Sequence, residues 1–331
     1  MQPGDLTFHV KFETAMLRNI MVSKYLSFEF EVRSQPSACH FVLTSTYSTT
    51  ALKMYHRQSF HRNQTIQQFQ LGNLITIGKM SEVWGGTQNS SGERATIKIH
   101  DDENTWKHEI EVIKELQGVY TPKFLESGDF QGKQFIAMES FSATLDEYLQ
   151  KTDDSRFNCD NILLITCQAI TGGQFLHKKH ILHSDISTSH LMISYPVGSE
   201  RNVLVKFVGL EKAKKFELNE GKVVPLAVNL ETIDKTWATA HMLSSGSVTP
   251  IDDIYQITLM LWNMNGASIE EFEKEDGGFD KKLDLAIAPM KALPRTIRWM
   301  SAFFSSLDSF DSDALPDYTK MQKALASCLR D

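Results

Sequence analysis

Asp185 lies in Ile181–Met192, ILHSDISTSHLM, two residues after His183. An acidic side chain held in such a loop can orient a hydroxyl group and receive its proton. Lys98 closes the strand-like run Ala95–Lys98, ATIK, 15 residues after Val83. A lysine there, paired with a carboxylate on a nearby helix, can hold the phosphates of a nucleotide. Gly78 stands between two strand-like runs, and a glycine in such a turn lets backbone N–H groups approach phosphate oxygens. These residue types together suit phosphoryl transfer, which rests on positioning and on charge stabilisation, with metal ions bridging the phosphates.

The elements that must position them follow from period and punctuation. Leu71–Ile99 reads as a hairpin of strands and a third strand, with a turn at Asn89–Gly92. Asn104–Gln117 reads as a helix: Trp106, Ile110, Ile113 and Leu116 recur at helical spacing, and Gly118 stops it. Glu109 is the candidate partner of Lys98, with Glu111 as the competing choice. Either could instead lie on a solvated face, where Lys107 and Glu111 would form an i, i+4 pair. Lys133–Ser140 reads as an apolar strand leading to a hinge, and Thr144–Gln150 as the start of a helix. Asn161–His177 is a longer helix with Ile162, Ile165, Ala169, Gly172 and Leu176 on one buried stripe, and it delivers the chain to His183. Val203–Phe207 is an apolar strand, followed by Val208, Gly209 and Leu210.

Residues 1–68 differ in character from the rest of the chain. Leu6–Phe12, Leu26–Val32 and Phe41–Thr44 have strand character, and Tyr25–Val32 alternates apolar and polar residues. This predicts a β-rich module, either a brace or a partner-binding element, with His56–Gln68 as a linker. A net charge of −7 argues against a general nucleic-acid or acidic-membrane binder. The four cysteines have neither metal-ligand spacing nor a disulfide framework. The first residues lack a signal-peptide pattern, and no apolar run approaches the roughly 20 residues of a membrane span. Cytoplasm or nucleus is the expected location.

About residues 70–331 resemble the casein kinase one group of protein kinases, with its vaccinia-related and tau-tubulin relatives. Glu109–Gly118 is similar to that group's helix C. Ile181–Met192 looks like its HRDIKPxNFLM loop and Phe207–Lys215, FVGLEKAKK, like DFGLAKK. Asp252-Asp253-Ile254 and Leu315–Leu329 resemble its later landmarks. The resemblance implies an α+β, bilobal protein kinase-like fold. Its β-rich N-lobe would span about residues 69–140 and its helical C-lobe about 141–331, after the 1–68 extension. It implies that Gly78, Val83, Lys98, Glu109 and Met138, the gatekeeper, would line a nucleotide site. Asp253 would hold the catalytic loop and Gly209 would fix the register.

The departures decide the expected function. Thr76 and Ser81 replace two glycines of the loop, and Ser184 and Ser187 replace the basic residues of the catalytic loop. Thr249, Pro250 and Ile251 stand in place of the arginine pair that reads acidic substrates. His190 and Phe207 stand at the two magnesium positions. A hard cation wants oxygen ligands, and its loss removes several orders of magnitude in rate. The expectation is a catalytically inactive homologue, a pseudokinase, in which Asp185 is a remnant and there is no metal. Its partners would be other proteins, an active kinase or a multiprotein complex, with no nucleic acid and no membrane. ATP without magnesium is the one cofactor left open. One alternative is an atypical active Ser/Thr kinase using Glu82, Glu211 or Asp252 as displaced ligands. Another is a partner-binding N-terminal module carried on a kinase-like lobe.

Overall fold

The computed structural model describes residues 60–78, 80–116, 118, 120–152, 156–194, 204–267, 281–284, 295–307 and 313–328. The strand-like runs expected between Leu6 and Thr44 lie outside these residues. Residues 62–331 form one compact unit.

Its first part is a six-stranded antiparallel sheet. The strands are β1 (Thr65–Ile66), β2 (Phe69–Ile77), β3 (Ser81–Gln88), β4 (Arg94–His100), β5 (Phe124–Phe130) and β6 (Lys133–Glu139), in the order β1-β2-β3-β4-β6-β5. β1 falls inside the stretch read as a linker. β5, FLESGDF, lacks a clean alternation and is not evident from the sequence. In β4 one face buries Ala95, Ile97 and Ile99, while the other carries Lys98 and His100, also buried. Helix α1 (Glu103–Leu116) covers them and buries Glu109, Ile110, Val112, Ile113 and Leu116. Asp102 caps its start by accepting from Thr105 N at 2.7 Å. Gly118, at φ +71°, takes the left-handed conformation just after its end. Lys107 pairs with Glu103 at 2.6 Å, one turn earlier, rather than with Glu111.

The second part is helical. The strand β7 (Ala143–Thr144) leads into α2 (Leu145–Leu149), and α3 (Cys159–Lys178) comes after it. Asn158 caps α3 by accepting from Asn161 N at 2.8 Å, and the expected apolar stripe is buried. Short strands β8 (Ile181–Leu182), β9 (Leu191–Ser194) and β10 (Leu204–Phe207) flank the loop that holds Asp185, and β11 (Lys214–Lys215) pairs with β8. α4 (Ala240–Ser245) and α5 (Pro250–Met264) come next, then α6 (Ser301–Leu307) and α7 (Tyr318–Ser327). Pro250 sits in the first turn of α5, where its missing N–H is no loss. One apolar core joins α1, α3, α5, α6 and α7.

Gly172 is a mid-helix glycine, and such a glycine costs about 1 kcal/mol relative to alanine. Phe207 explains it. A Cβ at position 172 would come within 2.6 Å of the Phe207 ring. The notch in α3 is where that ring packs.

Candidate functional site

β4 places Lys98 directly across from Val83 of β3. Lys98 Nζ lies 2.9 Å from Glu109 Oε1 and 2.8 Å from Oε2, so the strand–helix ion pair is formed, and it is Glu109 that makes it. His100, two residues on and on the same strand face, brings Nε2 to 3.1 Å from Glu109 Oε2. A second carboxylate reaches the same ammonium: Glu211 Oε2 is 2.8 Å from Lys98 Nζ. Burial alone would lower the Lys98 pKa, but attraction to Glu109 and Glu211 overrides it and holds the ammonium well above its ordinary value. Burial would raise the Glu211 pKa, yet Lys98 draws it down to about 2.

The turn between β2 and β3 closes tightly, with Gly78 N donating to Ser81 O at 2.8 Å. Gly78 has neither positive φ nor a crowded Cβ position, so nothing local demands a glycine there. Met138 is buried in the core on β6.

Asp185 is nearly buried. Its Oδ2 lies 2.9 Å from Lys212 Nζ and 3.5 Å from His190 Nδ1. His190 Nδ1–H donates to the Asp185 carbonyl at 2.7 Å. The His190 ring lies under Gly209, whose Cβ would come within 2.6 Å of it. That approach, with φ +74°, is why position 209 must be glycine. Ser187 shares a hydrogen bond with Ser189 at 2.9 Å.

The resemblance expects a metal ligand at position 207, but the Phe207 ring is wholly buried in the core against Gly172, 5.5 Å from the His183 ring. The ring is fixed by α3 rather than directed at the charged groups. Lys206, on the other face of β10, donates to Glu139 Oε2 at 2.7 Å and to Gly118 O at 3.0 Å. It ties β10 to the end of β6.

The loop around Asp185 is held from below. Asp253 Oδ2 accepts from His183 N at 2.8 Å and Oδ1 from Ser184 N at 2.9 Å. His177 Nε2 donates to Asp253 Oδ2 at 2.9 Å, and His177 Nδ1 accepts from Tyr318 Oη. Gln256 Oε1 accepts from Ile186 N at 2.9 Å. Ser184 sits at φ +65°, an unfavourable backbone for a non-glycine residue, and the bond to Asp253 helps to keep it there. His183 Nε2–H donates to Val208 O at 3.0 Å, and burial lowers its pKa.

Asp252 works beside Asp253 but serves α4 and α5. It accepts from Thr249 N at 2.8 Å, from His241 Nδ1 at 2.8 Å and from Thr239. The hydrogen bond to Asp252 raises the His241 pKa, against an opposing effect of burial. A folded-state pKa raised above the unfolded value adds stability that is full below the unfolded pKa and is lost as pH rises through the folded one. Replacing His241 by Gln is therefore expected to lower the urea midpoint more at about pH 5.5 than at about pH 8.5. An equal loss at both would show that the imidazolium contributes nothing there.

The structure thus brings Lys98, Glu109 and Glu211 into one cluster and Asp185, His190 and Lys212 into another. Glu82 accepts from Trp84 Nε1 at 3.1 Å, and Asp252 serves the helix start, so of the three acids named as displaced ligands only Glu211 pairs with Lys98. Sequence reasoning passes over His100, Lys206 and Lys212. A lysine within the apolar run VLVKF is a signal, because a buried lysine needs a carboxylate. His100 is findable from its two-residue spacing to Lys98.

A family model described as "Protein kinase domain" matches residues 69–321. A "Probable serine/threonine-protein kinase fnkE" of Dictyostelium discoideum is 21% identical over 62% of this chain and 16% of its own length. An "Aurora kinase" of Debaryomyces hansenii is 23% identical over 52% of this chain and 43% of its own. The "Mitosis inhibitor protein kinase SWE1" of Candida albicans is 26% identical over 51% and 13%. The chain spans less than half the length of each of these relatives. The β-rich sheet, the helical second part and a family match running from β2 into α7 agree, and the chain belongs to the protein kinase domain family.

Proposed function

We propose that this chain is a pseudokinase allied to the casein kinase one group, acting as a protein-interaction scaffold or an allosteric regulator. The observation that carries this reading is the state of the charged groups. Lys98 is paired with Glu211 as well as Glu109, and Asp185 is paired with Lys212. The two positions where the resemblance expects magnesium ligands, 190 and 207, carry an imidazole already bound to the Asp185 carbonyl and a phenyl ring buried in the core. Magnesium takes oxygen ligands in near-octahedral geometry, and these residues do not fit it. A domain that keeps its core and its strand–helix pair without that chemistry is suited to presenting a surface. Its partners are other proteins, an active kinase or a multiprotein complex, and its location is the cytoplasm or nucleus. Among the described residues no helix is long and apolar enough to cross a membrane.

Glu211 favours a second reading, an atypical active kinase in which its carboxylate serves as a displaced metal ligand. Phosphate transfer to an acidic protein substrate, with magnesium and beside an Asp185→Ala control, separates the two. The expected result is no transfer above the control and no tightening of ATP by magnesium. Magnesium-dependent transfer that disappears in Asp185→Ala overturns the pseudokinase reading.

A further inference from the structure

Resting on the reading that the cleft does no magnesium chemistry, we propose that it is shut by its own residues. Glu211 occupies the lysine that would hold a phosphate, and removing Glu211 opens the cleft to a metal-free nucleotide. The two residues after Gly209-Leu210 make opposite ion pairs. Glu211 takes Lys98 at 2.8 Å, and Lys212 takes Asp185 at 2.9 Å. One short turn, Leu210–Lys212, therefore engages Lys98 and Asp185, two of the polar groups retained from phosphoryl-transfer chemistry. Leu210 is buried and anchors the turn in the core.

The charge arithmetic favours closure. One ammonium already faces two carboxylates, so a phosphate must displace one of them or meet like charge at close range. Glu109 is buried on α1, with its side chain 2% exposed. Glu211 is 28% exposed on the turn, so Glu211 is the carboxylate that can leave.

The turn is also stitched to α1. His108 Nε2 donates to Ala213 O at 2.6 Å, and Lys215 pairs with Glu115 at 2.6 Å. These contacts hold the segment after Gly209 along the helix that supplies Glu109. Opening the latch leaves them in place, because only the Glu211 side chain must swing away. Lys212, 38% exposed, would then be a second cation near the phosphates.

The test is titration of the full chain with ATP, in EDTA and in parallel with magnesium, following heat or thermal shift, for wild type, Glu211→Gln and Glu211→Gln with Lys98→Ala. Gln keeps the shape and removes the charge. Glu211→Asp, one methylene shorter, is a second variant that weakens the pair without changing the net charge. Glu211→Gln is expected to bind metal-free ATP about tenfold more tightly than wild type or better, equivalent to about 1.4 kcal/mol, and to lose the gain with Lys98→Ala. Glu211→Asp should fall between. If Glu211→Gln binds no tighter than wild type, or neither binds at all, the latch is overturned while the pseudokinase reading stands. If wild type binds only with magnesium and Glu211→Gln loses that binding, Glu211 is a metal ligand and both readings fall.

Discussion

Replacing Phe207 by Asp is expected to destabilise the protein by about 3–5 kcal/mol, in the range of deleting a buried phenylalanine, and to leave ATP binding indifferent to magnesium. The substitution looks like a repair, since it restores a carboxylate at the position where the resemblance expects one. Packing forbids the repair. The ring is fully buried, it fills the notch left by Gly172, and it lies beside His183. An Asp there would vacate that space and place a charge or an unpaired carboxylic acid in an apolar core. Phe207→Leu, which keeps apolar volume, should lose much less. Urea unfolding of the three proteins gives the comparison, with thermal shifts against ATP and magnesium alongside. An Asp variant with a wild-type midpoint and a new magnesium-dependent shift would show that the site, rather than the core, owns position 207.

Asp253→Ala should cost about 3–5 kcal/mol, the scale for removing one partner from a buried charged network. The carboxylate accepts from His183 N, Ser184 N and His177 Nε2, and all three donors would be left buried without it. Ser184 would also lose a bond that holds its positive φ. Burial would raise the Asp253 pKa, but the hydrogen bond from His177 and the loop amides bring it below its usual value. A depressed folded-state pKa contributes stability that is present above the unfolded value, about 3.9 for Asp, and is lost as pH falls through the folded one. The gap between wild type and Asp253→Ala should therefore hold through neutral pH and narrow in strong acid. Chemical denaturation across pH checks this. A gap within about 1 kcal/mol at neutral pH would mean that the loop is held by other contacts, chiefly Gln256 with Ile186.

Much of the fold is legible in the sequence because it is written in local terms. The buried stripe of α3, the end of α1 at Gly118 and the turn at Asn89–Gly92 come from helical period, glycine punctuation and turn composition. The weak alternation of FLESGDF conceals β5, which forms because β6 offers it an edge. The family landmarks fix the order of the parts. Residue type alone settles that neither Phe207 nor Val208 can supply a carboxylate.

What the tertiary structure decided is where the side chains meet. Glu211 and Lys98 are 113 residues apart, and no periodicity or motif connects them. The same holds for Lys212 with Asp185 and for Lys206 with Glu139, whose pairings exist only once strand, helix and turn are packed. Phe207 could be read as a missing ligand. That its ring belongs to the core, matched by a glycine one helix away, required the packing of β10 on α3. Local sequence determines backbone period because its interactions span a few residues. The charge state of a cleft is set by groups from distant segments, and only their assembly shows that Glu211 and Lys212 occupy the two residues that chemistry would need.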